Sequence, residues 1–253
     1  MSRPLPYCNA TMHDRLESDM KQSNAISAQL STGYDYSAFD TTVMTDEFKF
    51  AGTSHVVAKR ALDFSVSFLA LLVLFPVFAL IALMISLESP GSPFFSQVRW
   101  GKNGKKIRIY KFRSMRTDVC DETGVKQTVD NDPRVTRLGA ILRKTSVDEL
   151  PQLFNVLKGD MSLVGPRCHA VGMLAANMPY EELVSNYHRR HLVKPGITGL
   201  AQVRGLRGPT TTSSKARARI ACDLYYLENF SFWLDLKIIY MTVLSELRGG
   251  TGS

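Results

Sequence analysis

Asp148 and Glu149 stand side by side in Ser146-Val147-Asp148-Glu149, just ahead of Leu150, Leu153, Phe154 and Leu157 at helical spacing. A carboxylate in a first helical turn meets free backbone N–H groups and the positive end of the helix dipole, which keep it ionised and let a phosphate dock nearby. Ionised, it can attack. The same four residues also fit a capping box, with Ser146 as N-cap and Glu149 at N3, and in that role they carry no chemistry. Four arginines could clamp phosphates: Arg113 in KFRSM, Arg134 in DPRVT, Arg143 just upstream of the pair, and Arg167 in VGPRC. The planar fork of arginine matches two phosphate oxygens at once, although each of these taken singly also suits a surface position or a structural ion pair. His188 and His191 in YHRRH lack i, i+4 spacing and a third ligand, so they read as surface histidines and not as a metal site.

The elements that must hold these residues are marked by hydropathy. From Phe64 to Leu87 no charged residue occurs, and a run of that length matches the roughly 20 residues a helix needs to cross a bilayer. Lys59 and Arg60 precede it, while Arg99, Lys102, Lys105, Lys106 and Arg108 follow it, so both ends look cytoplasmic. Pro76 in mid-run removes one helical hydrogen bond. A re-entrant hairpin, entering and leaving by one face, reconciles these observations; a single kinked crossing is the plainer alternative. Ser89-Pro90-Gly91-Ser92-Pro93 then ends the apolar element.

Between Arg99 and Arg116 the charges are all positive, and Lys105 to Phe112 reads as a short strand. Gly159 supplies a helix stop after the carboxylate segment, and Pro195-Gly196-Ile197-Thr198-Gly199 is a second breaker cluster. Trp233, Leu236, Tyr240, Val243 and Leu247 line one side of a C-terminal helix, which suits either the bilayer interface or a protein core. Residues 1–55 show no sustained period and read as a disordered leader without a secretory signal.

Over the 253 residues, 31 Lys+Arg against 23 Asp+Glu give a net charge of +8, which calls for an anionic partner. Cys8, Cys120, Cys168 and Cys222 form no C-x-x-C pair, so neither a disulfide framework nor structural zinc is supported.

Taken in order, Lys59-Arg60-x-x-Asp63, the proline-broken apolar run, Pro93-Phe94-Phe95-x-Gln97-x-Arg99-x-Gly101, Lys111-Phe112-Arg113-Ser114-Met115, Asp132-Pro133-Arg134, Leu142 to Gln152, Gly159 to Arg167 and Pro195 to Gly199 resemble the bacterial sugar transferases. These are small monotopic phosphoglycosyl transferases. The resemblance runs from Lys59 to about Leu247. It implies an enzyme on the cytoplasmic face of the bacterial inner membrane that moves a hexose 1-phosphate from a UDP-sugar to polyprenyl (undecaprenyl) phosphate and releases UMP. That reaction would prime exopolysaccharide or another surface glycan. Carried over, Asp148 is the nucleophile that holds the phosphosugar covalently, and Glu149 is its partner and a ligand for Mg²⁺. Arg113, Arg143 and Arg167 hold phosphate oxygens, with Lys111 and Arg134 as further contacts, and Pro76 breaks the membrane helix. The sequence departs from the family at Phe75, where a Ser usually precedes the proline, and at Cys168, where a second proline is common and its loss frees the loop around Arg167.

The expected fold is an α-rich, membrane-associated α+β protein. It has a re-entrant membrane helix (56–90) and a small cytosolic catalytic domain (91–248) resting on the bilayer through amphipathic interfacial helices. The expected partners are the donor, the lipid acceptor and the bilayer. Nucleic acid is not among them, because no binding motif accompanies the basic run, and a homo-oligomer is left open. The competing reading is a non-catalytic membrane adaptor that binds anionic lipid or a partner through its basic patch.

Overall fold

The computed structural model describes residues 53–116 and 132–248. The leader expected over 1–55 therefore falls almost wholly outside the described residues; Thr53 to His55 already belong to the first helix.

That helix, α1 (Thr53–Glu88), runs 36 residues, a rise of about 54 Å, and passes unbroken through Pro76. The two helices joined by a turn that a hairpin suggests are not formed: one lost hydrogen bond is tolerated where the helix is long enough to continue on both sides. Phe75 points outward, and the buried hydroxyl of Ser67 has no partner. A narrow seam of Leu71, Leu74, Phe78, Ile81 and Ile85 packs on protein, while Phe68, Leu72, Val73, Phe75, Leu83 and Leu87 are exposed. Only 17% of the most apolar window is buried, far less than in a soluble core helix, and the helix is long and apolar enough to cross a membrane.

Both ends of α1 are fastened to the rest of the protein. Near its start Lys59 Nζ donates to Asp235 at 2.6 Å and to the Val164 carbonyl at 2.9 Å. Arg60 donates to the Val156 and Leu157 carbonyls at 2.7 and 2.9 Å, and Asp63 Oδ1 accepts from Ser162 Oγ and from the Leu163 N–H. At the other end Arg113 donates to the carbonyls of Ile85, Ser89 and Pro90, which satisfies carbonyls a helix terminus leaves bare.

Strands β1 (Phe94–Trp100) and β2 (Lys106–Phe112) form an antiparallel hairpin in the register Phe94↔Phe112 to Trp100↔Lys106, so the expected strand is present and paired. Next come α2 (Arg137–Lys144), a 3₁₀ turn Val147–Glu149, and α3 (Gln152–Lys158). Gly159 ends α3 with φ 97°, the left-handed geometry that suits glycine. The buried Asn155 of α3 covers the edge of β2, accepting from the Tyr110 N–H and donating to the Arg108 carbonyl.

β3 (Ser162–Val164) pairs in parallel with β6 (Gly196–Thr198), and between them lie the short hairpin β4 (Leu174–Ala175) and β5 (Met178–Pro179), the one-turn helix α4 (Tyr180–Leu183) and a 3₁₀ segment Tyr187–Leu192. The strand contact explains Gly196: a Cβ there would lie 2.1 Å from the Gly165 nitrogen. The chain closes with α5 (Leu200–Val203), α6 (Ser213–Glu228) and α7 (Phe232–Leu247). Helix α7 packs one side on the core and leaves the other uncovered. Asp235 and Ile238 turn into the core, while Trp233, Tyr240, Val243 and Leu247 are exposed along the outer face.

Candidate active site

Ser146 adopts a left-handed backbone at φ 55° and makes no capping bond, so the chain turns sharply into Val147–Glu149 before Pro151 leads into α3. The capping box expected at Ser146 and Glu149 does not form. Pro151 at the mouth of α3 has no N–H to cap, and Glu149 gains more from two cations than from one backbone amide. Lys111 Nζ donates to Glu149 Oε1 at 2.5 Å, and Arg167 forks onto both carboxylate oxygens, at 2.9 Å on Oε2. Burial works against ionisation of Glu149, but Arg167 and Lys111 outweigh it and hold the carboxyl well below the usual range.

Asp148 is the opposite case. It is buried and accepts no hydrogen bond among the described residues. Burial raises its pKa and the Glu149 charge adds to the rise, while Lys111, Arg143 and Arg167 oppose it. Two adjacent carboxylates thus have environments that push their titrations apart, the pattern that separates roles in acid–base and nucleophilic sites. Glu149 is a fixed anion. Asp148 is an uncommitted carboxylate of raised basicity, free to attack phosphorus or to meet a cation.

The flanks of this turn fix its depth. Val147 and Leu150, on either side of the pair, pack into the cluster formed by Leu71, Leu74, Phe78 and Ile81 of α1 with Phe112 and Leu142. Arg143, in the last turn of α2, is half-buried, its guanidinium makes no hydrogen bond among the described residues, and its charge reaches Asp148. Lys111, Arg143 and Arg167 therefore converge on the pair. Arg113 and Arg134 do not. Arg113 is spent on the end of α1, and Arg134 lies bidentate on Asp132, at 2.9 and 2.6 Å.

Residues to which the sequence reading gave no role in the site also belong to this neighbourhood. Arg190, buried in Tyr187–Leu192, pairs with the buried Asp223 of α6 and donates to the Arg167 carbonyl at 2.5 Å. That bond, with the pairing of Arg167 to Gly196, holds the loop that Cys168 was expected to loosen. The signal was the arginine pair inside an aromatic-rich segment, but its partner is 33 residues away. Arg99 lies close enough to Arg167 and Glu149 to feel both charges. His191 is not a surface residue as expected: it is buried edge-on to Tyr187, and burial, with Arg190 and His188, lowers its pKa to about 3.

Mg²⁺ usually takes one or two carboxylates and completes its shell with phosphate oxygens and water. Asp148 offers a carboxylate with no competing bond and Glu149 stands next to it, a donor set that fits the ion only together with a phosphate-bearing substrate. No cluster of three or more His, Cys, Asp or Glu residues occurs among the described residues.

A helical α+β protein with one long, mostly exposed apolar helix, an unpaired aspartate, a fixed glutamate and converging cations has the charge pattern of a site for phosphate groups. The family description of the bacterial sugar transferases matches residues 54–249, and the chain belongs to that family. An exopolysaccharide production protein of Rhizobium leguminosarum bv. phaseoli is 64% identical over 197 residues, covering 78% of this chain and 98% of that one. The UDP-glucose:undecaprenyl-phosphate glucose-1-phosphate transferase of Escherichia coli K12 is 50% identical over 185 residues, 73% of this chain and 39% of its own length. An N-acetylgalactosamine phosphotransferase of Aeromonas hydrophila is 42% identical over 194 residues, 76% of this chain and 44% of its own. The chain thus spans nearly the whole of the rhizobial relative and about two-fifths of the longer enzymes.

Proposed function

We propose that this chain is a phosphoglycosyl transferase that moves a hexose 1-phosphate from a UDP-sugar to undecaprenyl phosphate, as the priming step of exopolysaccharide or surface glycan assembly. The observation that carries the reading is the buried, unpartnered Asp148 beside a Glu149 locked by Lys111 and Arg167. A structural cap would leave both carboxylates on backbone amides. Here one is fixed as an anion and the other is left free among three cations.

In the first step an Asp148 carboxylate oxygen attacks the β-phosphorus, and the bond from that phosphorus to the bridging oxygen breaks. UMP departs with the electron pair. A phosphate oxygen of the lipid then attacks the same phosphorus, and the Asp148 carboxylate leaves unchanged. Two displacements let one small site serve first a soluble donor and then an acceptor that cannot leave the membrane. Arg167 and Lys111 orient Glu149 and offer their remaining N–H groups to phosphate oxygens, and Arg143 approaches from the α2 side. Bound by Asp148 and Glu149 together with the diphosphate, Mg²⁺ would neutralise phosphate charge there.

The placement in the bacterial inner membrane, with the catalytic residues facing the cytoplasm, is supported by the two ends of α1. Lys59, Arg60 and Asp63 at one end and Ile85 to Pro90 at the other bind the same body of protein, an arrangement that favours both ends on one side of the bilayer although α1 is a single continuous helix. The exposed face of α7 rests at the same interface.

The test is intact-protein mass spectrometry of detergent-solubilised protein with a UDP-sugar and Mg²⁺ but no lipid. A hexose phosphate adduct on the unchanged protein, absent from Asp148→Asn and discharged by polyprenyl phosphate, is the expected result. No adduct and no UMP release with any UDP-hexose would leave the adaptor reading in its place.

A further inference from the structure

We propose that Arg99 grips the α-phosphate of the donor, the phosphate that departs as the nucleoside monophosphate. The assignment rests on the transfer reading above and names a residue of the same site that the reaction has not yet used.

The hairpin places it. Side chains two apart on a strand share a face, so Gln97 and Arg99 of β1 project on the same side as Lys111 of β2, which stands opposite Phe95. Along that face Arg99 lies roughly 13 Å beyond the position of Lys111. The end of β1 is then stitched to the loop that follows Arg167: the Trp100 N–H donates to the His169 carbonyl at 3.0 Å, and Arg99 bridges to Ala170. The charged groups therefore run in a row, with Asp148 and Arg143 first, Glu149 between Lys111 and Arg167 next, and Arg99 last.

Arg99 has no anion of its own. The one hydrogen bond of its guanidinium among the described residues goes to the neutral Oε1 of the buried Gln97, and its Nε is buried without a partner. Burial lowers its pKa and Arg167 adds to the lowering, while Cys168 and Glu149 oppose it. Glu149 is already shared by Arg167 and Lys111, so the row holds four cations against two carboxylates. A guanidinium withdrawn from water without a counter-ion is costly, and the group that balances this excess is a diphosphate. Its order along the row is set by chemistry. The β-phosphorus must touch Asp148, so the α-phosphate falls on the far side, past Arg167, where Arg99 waits with a free edge of its fork.

The role follows. As the bond between the β-phosphorus and the bridging oxygen breaks, the α-phosphate gains a negative charge, and a donor already aimed at that oxygen stabilises the charge without reorganising. Once the nucleoside monophosphate has gone, Arg99 has no further part, and the transfer from Asp148 to the lipid proceeds without it.

The two half-reactions separate the idea from a structural role. Arg99→Gln in the full-length protein should form the hexose phosphate adduct roughly a hundredfold more slowly. Adduct accumulated over a long incubation should nevertheless discharge to polyprenyl phosphate at the unchanged protein's rate, which also shows that the variant is folded. Inhibition of adduct formation by UMP should weaken in parallel, and Gln97→Met, which removes the partner that aims the fork, should give a smaller defect in the first step alone. Equal slowing of both steps, or adduct formation at the normal rate, would overturn the assignment. No adduct on the unchanged protein would overturn the transfer reading itself, and this assignment with it.

Discussion

Arg190 Nε donates to Asp223 at 2.9 Å while Nη2 of the same guanidinium donates to the backbone oxygen of Arg167, so one buried pair on α6 and the 3₁₀ segment sets the loop that carries a site arginine. Both side chains are almost fully buried. Removing either partner strands the other without compensation, at a cost of about 3–5 kcal/mol. Asp223→Asn and Arg190→Met are each expected to lower the urea midpoint accordingly, and the double variant Arg190→Met/Asp223→Leu to lie above both. Single variants with an unchanged midpoint would show that the pair does not hold the loop.

Asp148 should carry a stability penalty that its amide relieves. Its pKa is raised by burial, so relative to the unfolded chain the folded state favours the protonated carboxyl, and stability falls as pH rises from the ordinary carboxylate range through the raised value. Asp148→Asn cannot ionise and escapes that loss. The variant should match the unchanged protein in thermal melts near pH 4, exceed it at pH 7, and form no adduct at either. A gap that closes as pH rises would mean that Asp148 is stabilised as an anion.

The charge of Arg143 lowers the pKa of Asp148, although burial of Asp148 and the charge of Glu149 pull the other way. Adduct formation requires the ionised nucleophile, so its rate should rise with pH across an acidic limb governed by Asp148. Arg143→Gln removes an attraction for the anion and should move that limb to higher pH. A limb that stays in place or moves down would remove Arg143 from the field around the nucleophile.

What the sequence disclosed and what it hid divide by the range of the interactions. The apolar run, the stop at Gly159 and the strand within Lys105 to Phe112 rest on neighbours a few residues apart, and each stands in the structure. The capping box was equally local and failed, because Ser146 and Glu149 fit a backbone pattern whose energy is smaller than that of the ion pairs available to Glu149 from residues 38 and 18 positions away. Arg190 and Asp223, and Lys59 and Asp235 at a separation of 176, leave no periodic trace at all. The carboxylate pair stood out by its residue types, but the choice between a chemical role and a cap came only from the family resemblance.

Arg113 offers a direct contrast with the phosphate role its motif suggests. Its fork donates to the carbonyls of Ile85, Ser89 and Pro90 and to the Ser89 hydroxyl, all at the end of α1. Arg113→Met should therefore destabilise the protein by roughly 2–3 kcal/mol, as buried charged hydrogen bonds are lost, while the concentration of UDP-sugar that half-saturates adduct formation stays the same. A large rise in that concentration with little change in the melt would return Arg113 to the phosphates.

The outer face of α7 carries an uncovered apolar row. Trp233 is 72% exposed, and Tyr240, Val243 and Leu247 extend the same face, while Asp235 and Ile238 on the inner side are fully packed. An apolar face of this size with tryptophan at its start suits the headgroup boundary, and a soluble partner is not needed to explain it. The chain has two tryptophans, so Trp100→Phe leaves Trp233 as the sole indole reporter. In vesicles its emission should be blue-shifted and strongly quenched by brominated acyl chains, with poor access for acrylamide in the water. Bromolipid quenching should fall off as the bromines move from near the headgroup to the chain ends, since an interfacial helix lies shallow. Free quenching by acrylamide and none by bromolipid would lift α7 off the bilayer and leave α1 as the membrane attachment among the described residues.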